Sequence, residues 1–251
     1  AAYPMKRLSC FLSLFSILIV FIISRHLIVD DTNYVLRWWF NLLLIGIVFL
    51  PLVSIVFKKF FDRGYLFSKT IGIAVVSLSL WFLSFLKILP FRSGVIYILF
   101  IIAAIVLYYF LKGYRQLIDI WQNPTVLRNM ILLEALFLLG LVYFSYVRGN
   151  LPDIKGIEKF MDFAFLNDLI RTDFMPPVDM WFAGKPANYY YYGHYVFAFL
   201  TKMTGIDSAI TYNLSMATIF SFAFSLTFSL AGNLINIKWP KKPFRIIVAG
   251  L

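Results

Sequence analysis

One cysteine, Cys10, stands in 251 residues, which excludes an internal disulfide and any cysteine-built metal cluster and leaves redox chemistry unindicated. Charge is scarce too: Asp, Glu, Lys and Arg make up 14% of the chain, against roughly 25% in soluble domains, so an ordinary soluble fold is excluded. The apolar segments lack the strict alternation of a membrane β-barrel, and unbroken runs suit helices that satisfy their own backbone hydrogen bonds in lipid. No internal repeat is present, and no low-complexity segment beyond one tyrosine run, which leaves a solenoid or an obvious inverted-repeat transporter without support. The first apolar run has no small-residue cleavage site behind it and is closed by Arg25-His26, so it reads as a retained helix and not as a signal peptide.

What the chain has in abundance is apolar surface, at 61% hydrophobic residues with 28 Phe. Apolar runs of bilayer-crossing length recur along it, and they predict an all-α, polytopic integral membrane protein. Spans are expected over 8–24, 38–57, 70–87, 94–111, 129–147, 189–204 and 209–231, with an eighth starting near 245 and continuing beyond Leu251 in a longer natural chain. Trp38-Trp39 and Tyr108-Tyr109 are placed for aromatic belts, and Trp81 reads as a packing or lipid-facing residue. The organisation is then an N-terminal set of about four spans over 1–128, and a core over 129–251 that carries a large loop at 148–188 and is cut at its C-terminal end.

A net charge of +11 would point to nucleic acid in a soluble protein, but here the bases sit in short loops, where topology and lipid headgroups account for them. Lys6, Arg7, Lys58, Lys59, Arg63, Lys69, Lys112, Arg115 and Arg128 fall on one side, against Arg25, Arg37, Lys87 and Arg92 on the other. The excess places the N-terminus in the cytoplasm and the loop 148–188 outside. Lys238, Lys241, Lys242 and Arg245 conflict with this if 189–204 and 209–231 both cross. Either 189–204 is re-entrant or interfacial, or the earlier spans override the later charges.

The loop is where chemistry is expected. Six of the twelve acids, Asp153, Glu158, Asp162, Asp168, Asp173 and Asp179, fall within it, and a loop of this length is more than a connection. Phe160, Met161, Phe163, Phe165, Leu166, Leu169 and Ile170 are spaced for an amphipathic helix over about 158–171 lying on the membrane surface. Glu158 lies one turn before Asp162, so the two carboxylates can share a proton, a metal ion or a cation, with Arg148, Lys155 and Lys159 nearby. Pro176-Pro177 and Gly184 set a stiff segment that presents Asp179 and Trp181, and a carboxylate beside an indole suits sugar recognition; an interfacial tryptophan with a solvated acid is the plainer alternative.

Four consecutive tyrosines, Tyr189 to Tyr192, cannot all anchor at the interface, so one or two must point into the protein and need partners for their hydroxyls. His194 follows as a candidate phosphate ligand or acid, or as a satisfied hydrogen-bonding residue. Two further features invite over-reading. Glu134 lies about a turn inside the fifth span, near enough to its edge to reach water, and Asn213-Leu-Ser215 matches a glycosylation sequon inside a span.

Arg148 with Pro152-Asp153, Glu158-Lys-Phe-Met-Asp162, Phe174-Met-Pro-Pro-Val-Asp179-Met-Trp181, Asn188 with the tyrosines and Gly193-His194, and Tyr212-Asn213-Leu214 together resemble the "YYY-domain" family of highly hydrophobic membrane proteins. That family is placed by similarity in the GT-C superfamily of polytopic glycosyltransferases. The resemblance implies a GT-C-like helical core, an external acidic loop and inverting sugar transfer from a polyprenyl-phosphate donor. It implies Asp162 as general base, with Glu158 or Asp153 orienting it or holding a divalent cation. Arg148, Lys159, Lys185 or His194 would receive the departing lipid phosphate, and Asp179, Trp181, Tyr190 and Tyr191 the sugar. The superfamily's adjacent acidic pair is absent, since Glu158 and Asp162 are four apart, and the choice of base stays open. The cofactor is either a hard ion such as Mg²⁺ or Mn²⁺ or none, and the partners are the bilayer and a lipid-linked sugar, not nucleic acid. Two other classes remain: a transporter or flippase of a lipid-linked substrate, which expects ionisable residues deep in spans, and a structural or assembly protein.

Overall fold

The computed structural model describes residues 2–156, 158–182 and 184–238, with side chains from Leu8 onward. Nine α-helices account for most of these residues: α1 (Ala2–Leu27), α2 (Thr32–Val56), α3 (Tyr65–Phe85), α4 (Ser93–Ile105, running on into a π-helical turn, Val106–Phe110), α5 (Tyr114–Gln122), α6 (Pro124–Gly149), α7 (Lys159–Arg171), α8 (Tyr192–Thr204) and α9 (Ser208–Lys238). Six segments are long and apolar enough to cross a bilayer: Leu8–Leu27, Val29–Val56, Tyr65–Phe85, Ser93–Phe110, Pro124–Gly149 and Ser208–Lys238. The protein is an all-α polytopic membrane protein. Among the described residues the only β pairing is an isolated bridge between Val178 and Pro186.

Local sequence sets the helix ends. Asn123 caps α6 by accepting a hydrogen bond from the Val126 amide at 3.3 Å, and Pro124 follows at the first helical position, where its missing N–H costs nothing. Gly205 ends α8 in the left-handed region, at φ 64°, which a residue without Cβ adopts freely. Between α2 and α3 the backbones approach so closely that a Cβ on Gly72 would meet the Ile45 side chain at 2.6 Å.

The predicted span over 189–204 requires correction. The helix there is α8, with 13 residues, or about 20 Å of length, short of the roughly 30 Å hydrocarbon core. The next helix is long and apolar enough to cross, and its two ends are tied to different parts of the bundle. At its start, Arg148 donates to Asn213 Oδ1 from Nε and Nη2, at 3.0 and 2.6 Å. Near its end, Ser229 and Asn233 donate to Asp62 at 2.8 and 2.9 Å, and Asn233 Oδ1 accepts from the Phe61 amide at 2.8 Å. The C-terminal part of α9 therefore lies beside the turn at 57–64 that carries Lys58, Lys59 and Arg63, and the charge conflict disappears for Lys238. Lys241, Lys242, Arg245 and the run starting near 245 lie outside the described residues.

A second correction concerns Lys69, which is no loop cation. It lies on the second turn of α3, fully buried, with Nζ 2.6 Å from Glu134 Oε2 and 4.1 Å from the centre of the Phe137 ring. Glu134 does not reach water either: Tyr65 donates to Oε2 at 2.9 Å, and Trp39 donates to Oε1 at 2.5 Å. Four side chains from α2, α3 and α6 thus close one saturated network. Trp38 and Trp39 are accordingly not belt residues. Trp38 is buried and donates to Thr218 Oγ1 at 2.8 Å, whereas Tyr109 is 75% exposed, as a belt residue should be.

Candidate functional site

The amphipathic helix predicted over about 158–171 is α7. Its buried residues Phe165, Leu166 and Leu169 press it onto α8 and α9, and Phe165 stacks on Tyr189 with ring centres 5.2 Å apart. This packing fixes the first turn of α7 opposite the first turn of α8. Asp162 and His194, 32 positions apart, meet there with Oδ1 and Nε2 separated by 3.1 Å.

The pair sits at the wall of a cavity of about 280 Å³ between α7, α8 and α9, lined also by Tyr190, Phe197, Tyr212 and Ser215. Two of its polar atoms are buried without a partner, His194 Nδ1 and the Tyr212 hydroxyl. Tyr212 is 6% exposed, held by an edge-on contact with Phe163 at 5.6 Å. Buried polar atoms are normally satisfied, and two unsatisfied ones on residues that line one cavity set this place apart. Below, Phe197 and Ile219 also line a second cavity of about 240 Å³, an apolar groove between α3, α8 and α9 walled by Ile73, Leu200 and Phe222. The two cavities thus share a wall, with Asp162, His194 and Tyr212 supplying polar groups only to the first.

The other predicted residues fall outside this cleft. Glu158 precedes α7 and is exposed, and its contact with Asp162 is through its backbone carbonyl, which accepts the Asp162 amide at 3.0 Å. Asp153 is exposed and pairs with Lys155 at 3.4 Å. The three acids do not converge, and among the described residues no three His, Cys, Asp or Glu side chains are grouped as a metal ion requires. Arg148 is committed to Asn213. Lys159 is half-buried at the start of α7, and Lys185 is exposed.

Asp179 organises a turn: its Oδ1 accepts the Trp181 and Phe182 amides at 2.8 and 2.9 Å, while its own amide donates to the Lys185 carbonyl at 2.7 Å. That turn leaves Trp181 70% exposed at its tip. The tyrosine run divides as its length requires. Tyr190 faces the cavity, whereas Tyr191 is buried toward α3 and accepts from Trp81 Nε1 at 3.3 Å. Trp81 is thus an interior donor.

Tyr212 and Ser215 are not singled out for chemistry by the sequence, where they are two of many polar residues along α9. Lys202 was missed as well. Its ammonium lies over Phe91 at 4.1 Å and donates to the Phe91 and Thr172 carbonyls, the latter at 3.1 Å. It clamps α8 to the end of α7 and to the α3–α4 connection. Burial pushes the Lys202 ammonium down to about 8 against the pull of Asp173. Burial also raises the Asp168 carboxyl, while the hydrogen bond from Arg92 lowers that of Asp173.

The profile of one protein family, described as uncharacterized membrane protein (DUF2298), matches residues 75–251, which include α7, α8 and α9. No curated protein and no solved structure matches the chain.

Proposed function

The chain belongs to the DUF2298 family of membrane proteins, and from that premise and the cleft we propose that it is a glycosyltransferase-like enzyme of the GT-C kind. It takes a polyprenyl-phosphate sugar and transfers the sugar to an acceptor hydroxyl on the extracytoplasmic face. The observation that carries this reading is a cavity with Asp162, His194 and Tyr212 in its wall that lies beside an apolar groove, the two sharing Phe197 and Ile219. A molecule with a polar, sugar-bearing head and a long apolar tail fits both parts at once.

In the reaction, the acceptor oxygen bonds to the anomeric carbon as its proton passes to the Asp162 carboxylate, and the bond from that carbon to the phosphate oxygen breaks with its electron pair going to the phosphate. His194, which donates to Asp162 from Nε2, keeps Nδ1 as an acceptor for a sugar hydroxyl, and the Tyr212 hydroxyl supplies a donor where negative charge develops. Tyr190 stands at the rim as the sugar's aromatic platform. Glu158 and Asp153 lie too far out on the loop for the base's role. No step is assigned to a metal, because the acids that would hold one are dispersed.

Transport of a lipid-linked substrate is the second reading. It expects a chargeable group in the membrane with freedom to change partners, whereas Glu134 has its oxygens already engaged by three donors. The test of the first reading is sugar release from labelled polyprenyl-phosphate sugars in membranes holding the natural full-length protein and its Asp162→Asn variant. Transfer is expected from the parent and not from the variant. Transfer that survives the substitution removes Asp162 from the base's role.

A further inference from the structure

A third cavity, of about 330 Å³, lies between α1, α2, α5 and α6, far from the cleft. Ile17, Leu43, Ile47, Leu127 and Ile131 supply apolar walls, and the Glu134 network closes its inner end. The amphipathic α5 covers it on the side of the 57–64 turn, with Ile120 turned inward and Ile118 and Trp121 left 51% and 71% exposed, as befits a helix lying in the interface. The cavity is therefore within reach of the lipid leaflet at that face.

The charges around its mouth are of one sign. Of the two acids there, Asp62 is buried in its knot with Ser229 and Asn233, and Asp119 is paired with Arg63 at 3.2 Å. Lys58, Lys59, Lys112 and Arg115 are exposed and, among the described residues, have no carboxylate partner. Arg128 does not line the cavity but follows Leu127, which does. It sits next to Leu127 and one turn before Ile131, on the flank of α6 that meets α1, where Nη1 lies 3.5 Å from Ser9 Oγ. Its Nε is buried with no partner. Nη2 donates to Asn129 Oδ1 at 3.3 Å, which leaves each terminal nitrogen one further N–H, and a guanidinium so placed beside the Leu127 wall fits an anionic headgroup whose chain enters the cavity.

We infer that this cavity is a binding site for an anionic phospholipid of the leaflet on the α5 side, with the phosphate on Arg128 and one acyl chain between α1, α2 and α6. The site is independent of the sugar-transfer reading. The test is made on the full chain reconstituted with a mixture of phosphatidylcholine and phosphatidylglycerol, counting by native mass spectrometry the lipids retained after mild detergent extraction. The parent is expected to retain phosphatidylglycerol in preference to phosphatidylcholine. Arg128→Gln should weaken that preference by about tenfold, the loss of one charge-assisted contact, while Arg128→Lys should keep most of it. Ile131→Trp, which fills the cavity, should lower retention of both lipids. No preference in the parent, or a preference unchanged in Arg128→Gln, overturns the site. Displacement of the retained lipid by chain-free glycerophosphoglycerol would overturn the acyl-chain half of the assignment.

Discussion

Glu134 and Asp162 each face a base, Lys69 at 2.6 Å in one case and His194 at 3.1 Å in the other, yet they leave very different things undone. Around Glu134 every charged and polar atom named is matched: Lys69 bridges both carboxylate oxygens, Tyr65 and Trp39 donate to one each, and Phe137 lies against the ammonium. Around Asp162 the pair is half-exposed, and His194 Nδ1 and the Tyr212 hydroxyl are buried without partners. A saturated pair deep in a helix bundle fixes how α2, α3 and α6 meet. An unsaturated pair at the mouth of a cavity is available to a ligand. Ionisable residues in membrane helices are functional candidates by default, and on the function proposed above the count of unmet partners, more than depth, separates the two roles.

The comparison can be broken first at its rigid end. Glu134→Ala should strand the Lys69 ammonium in a dry site and destabilise the protein by about 3–5 kcal/mol, read as a lowered unfolding temperature in detergent. The double variant Lys69→Met with Glu134→Leu should recover most of that loss, since an apolar pair of similar volume removes the stranded charge. A double variant as unstable as the single would mean that the network holds more than its own charges.

At the open end the effects should fall on turnover and spare stability. His194→Gln is expected to lower sugar transfer by about 10²-fold, the scale of misplacing a reacting group that it holds, with the unfolding temperature little changed. Tyr212→Phe removes only a hydroxyl that lacks a protein partner, so it should leave the fold intact or slightly more stable and lower transfer by about tenfold, one hydrogen bond to a charged group.

The smallest expected effect is a pH dependence at Lys202, which lies between the two pairs in character: buried, bonded, and not paired directly with a carboxylate. Its folded pKa, about 8, lies below the ordinary lysine value. The unfolded chain therefore binds more protons between those two values, and this group's contribution to stability should rise as pH increases through that window. Unfolding midpoints measured across it should show the rise in the parent and lose it in Lys202→Met.

Much of this architecture is legible in the sequence, and what is not has a physical reason. The six crossing helices and α7 follow from run length and from the spacing of Phe163, Leu166 and Ile170. α8 was read as a span because a short apolar helix buried on several sides has the same composition as a short transmembrane one; only its 13-residue length in the fold separates them. Lys69 follows Lys58, Lys59 and Arg63 and so reads as one more loop cation, since its partner is 65 positions away. Asp162 and His194 were each visible as unusual residues in an apolar setting, but their meeting depends on how α7 packs on α8. Glu158 is the natural partner of Asp162 by helical spacing, but it stands just before the helix begins, exposed, and meets Asp162 through its backbone carbonyl. Tyr212 gave a weaker signal, one hydroxyl among many aromatic rings.

The most direct test measures Asp162→Asn and Glu134→Gln side by side, each for unfolding temperature in detergent and for transfer from labelled polyprenyl-phosphate sugars in membranes. The account predicts a crossed result: Asp162→Asn folds like the parent and transfers nothing, while Glu134→Gln is markedly less stable and, where folded, still transfers sugar. If Asp162→Asn retains transfer, or if Glu134→Gln keeps its stability and loses transfer, the roles assigned to the two pairs are wrong.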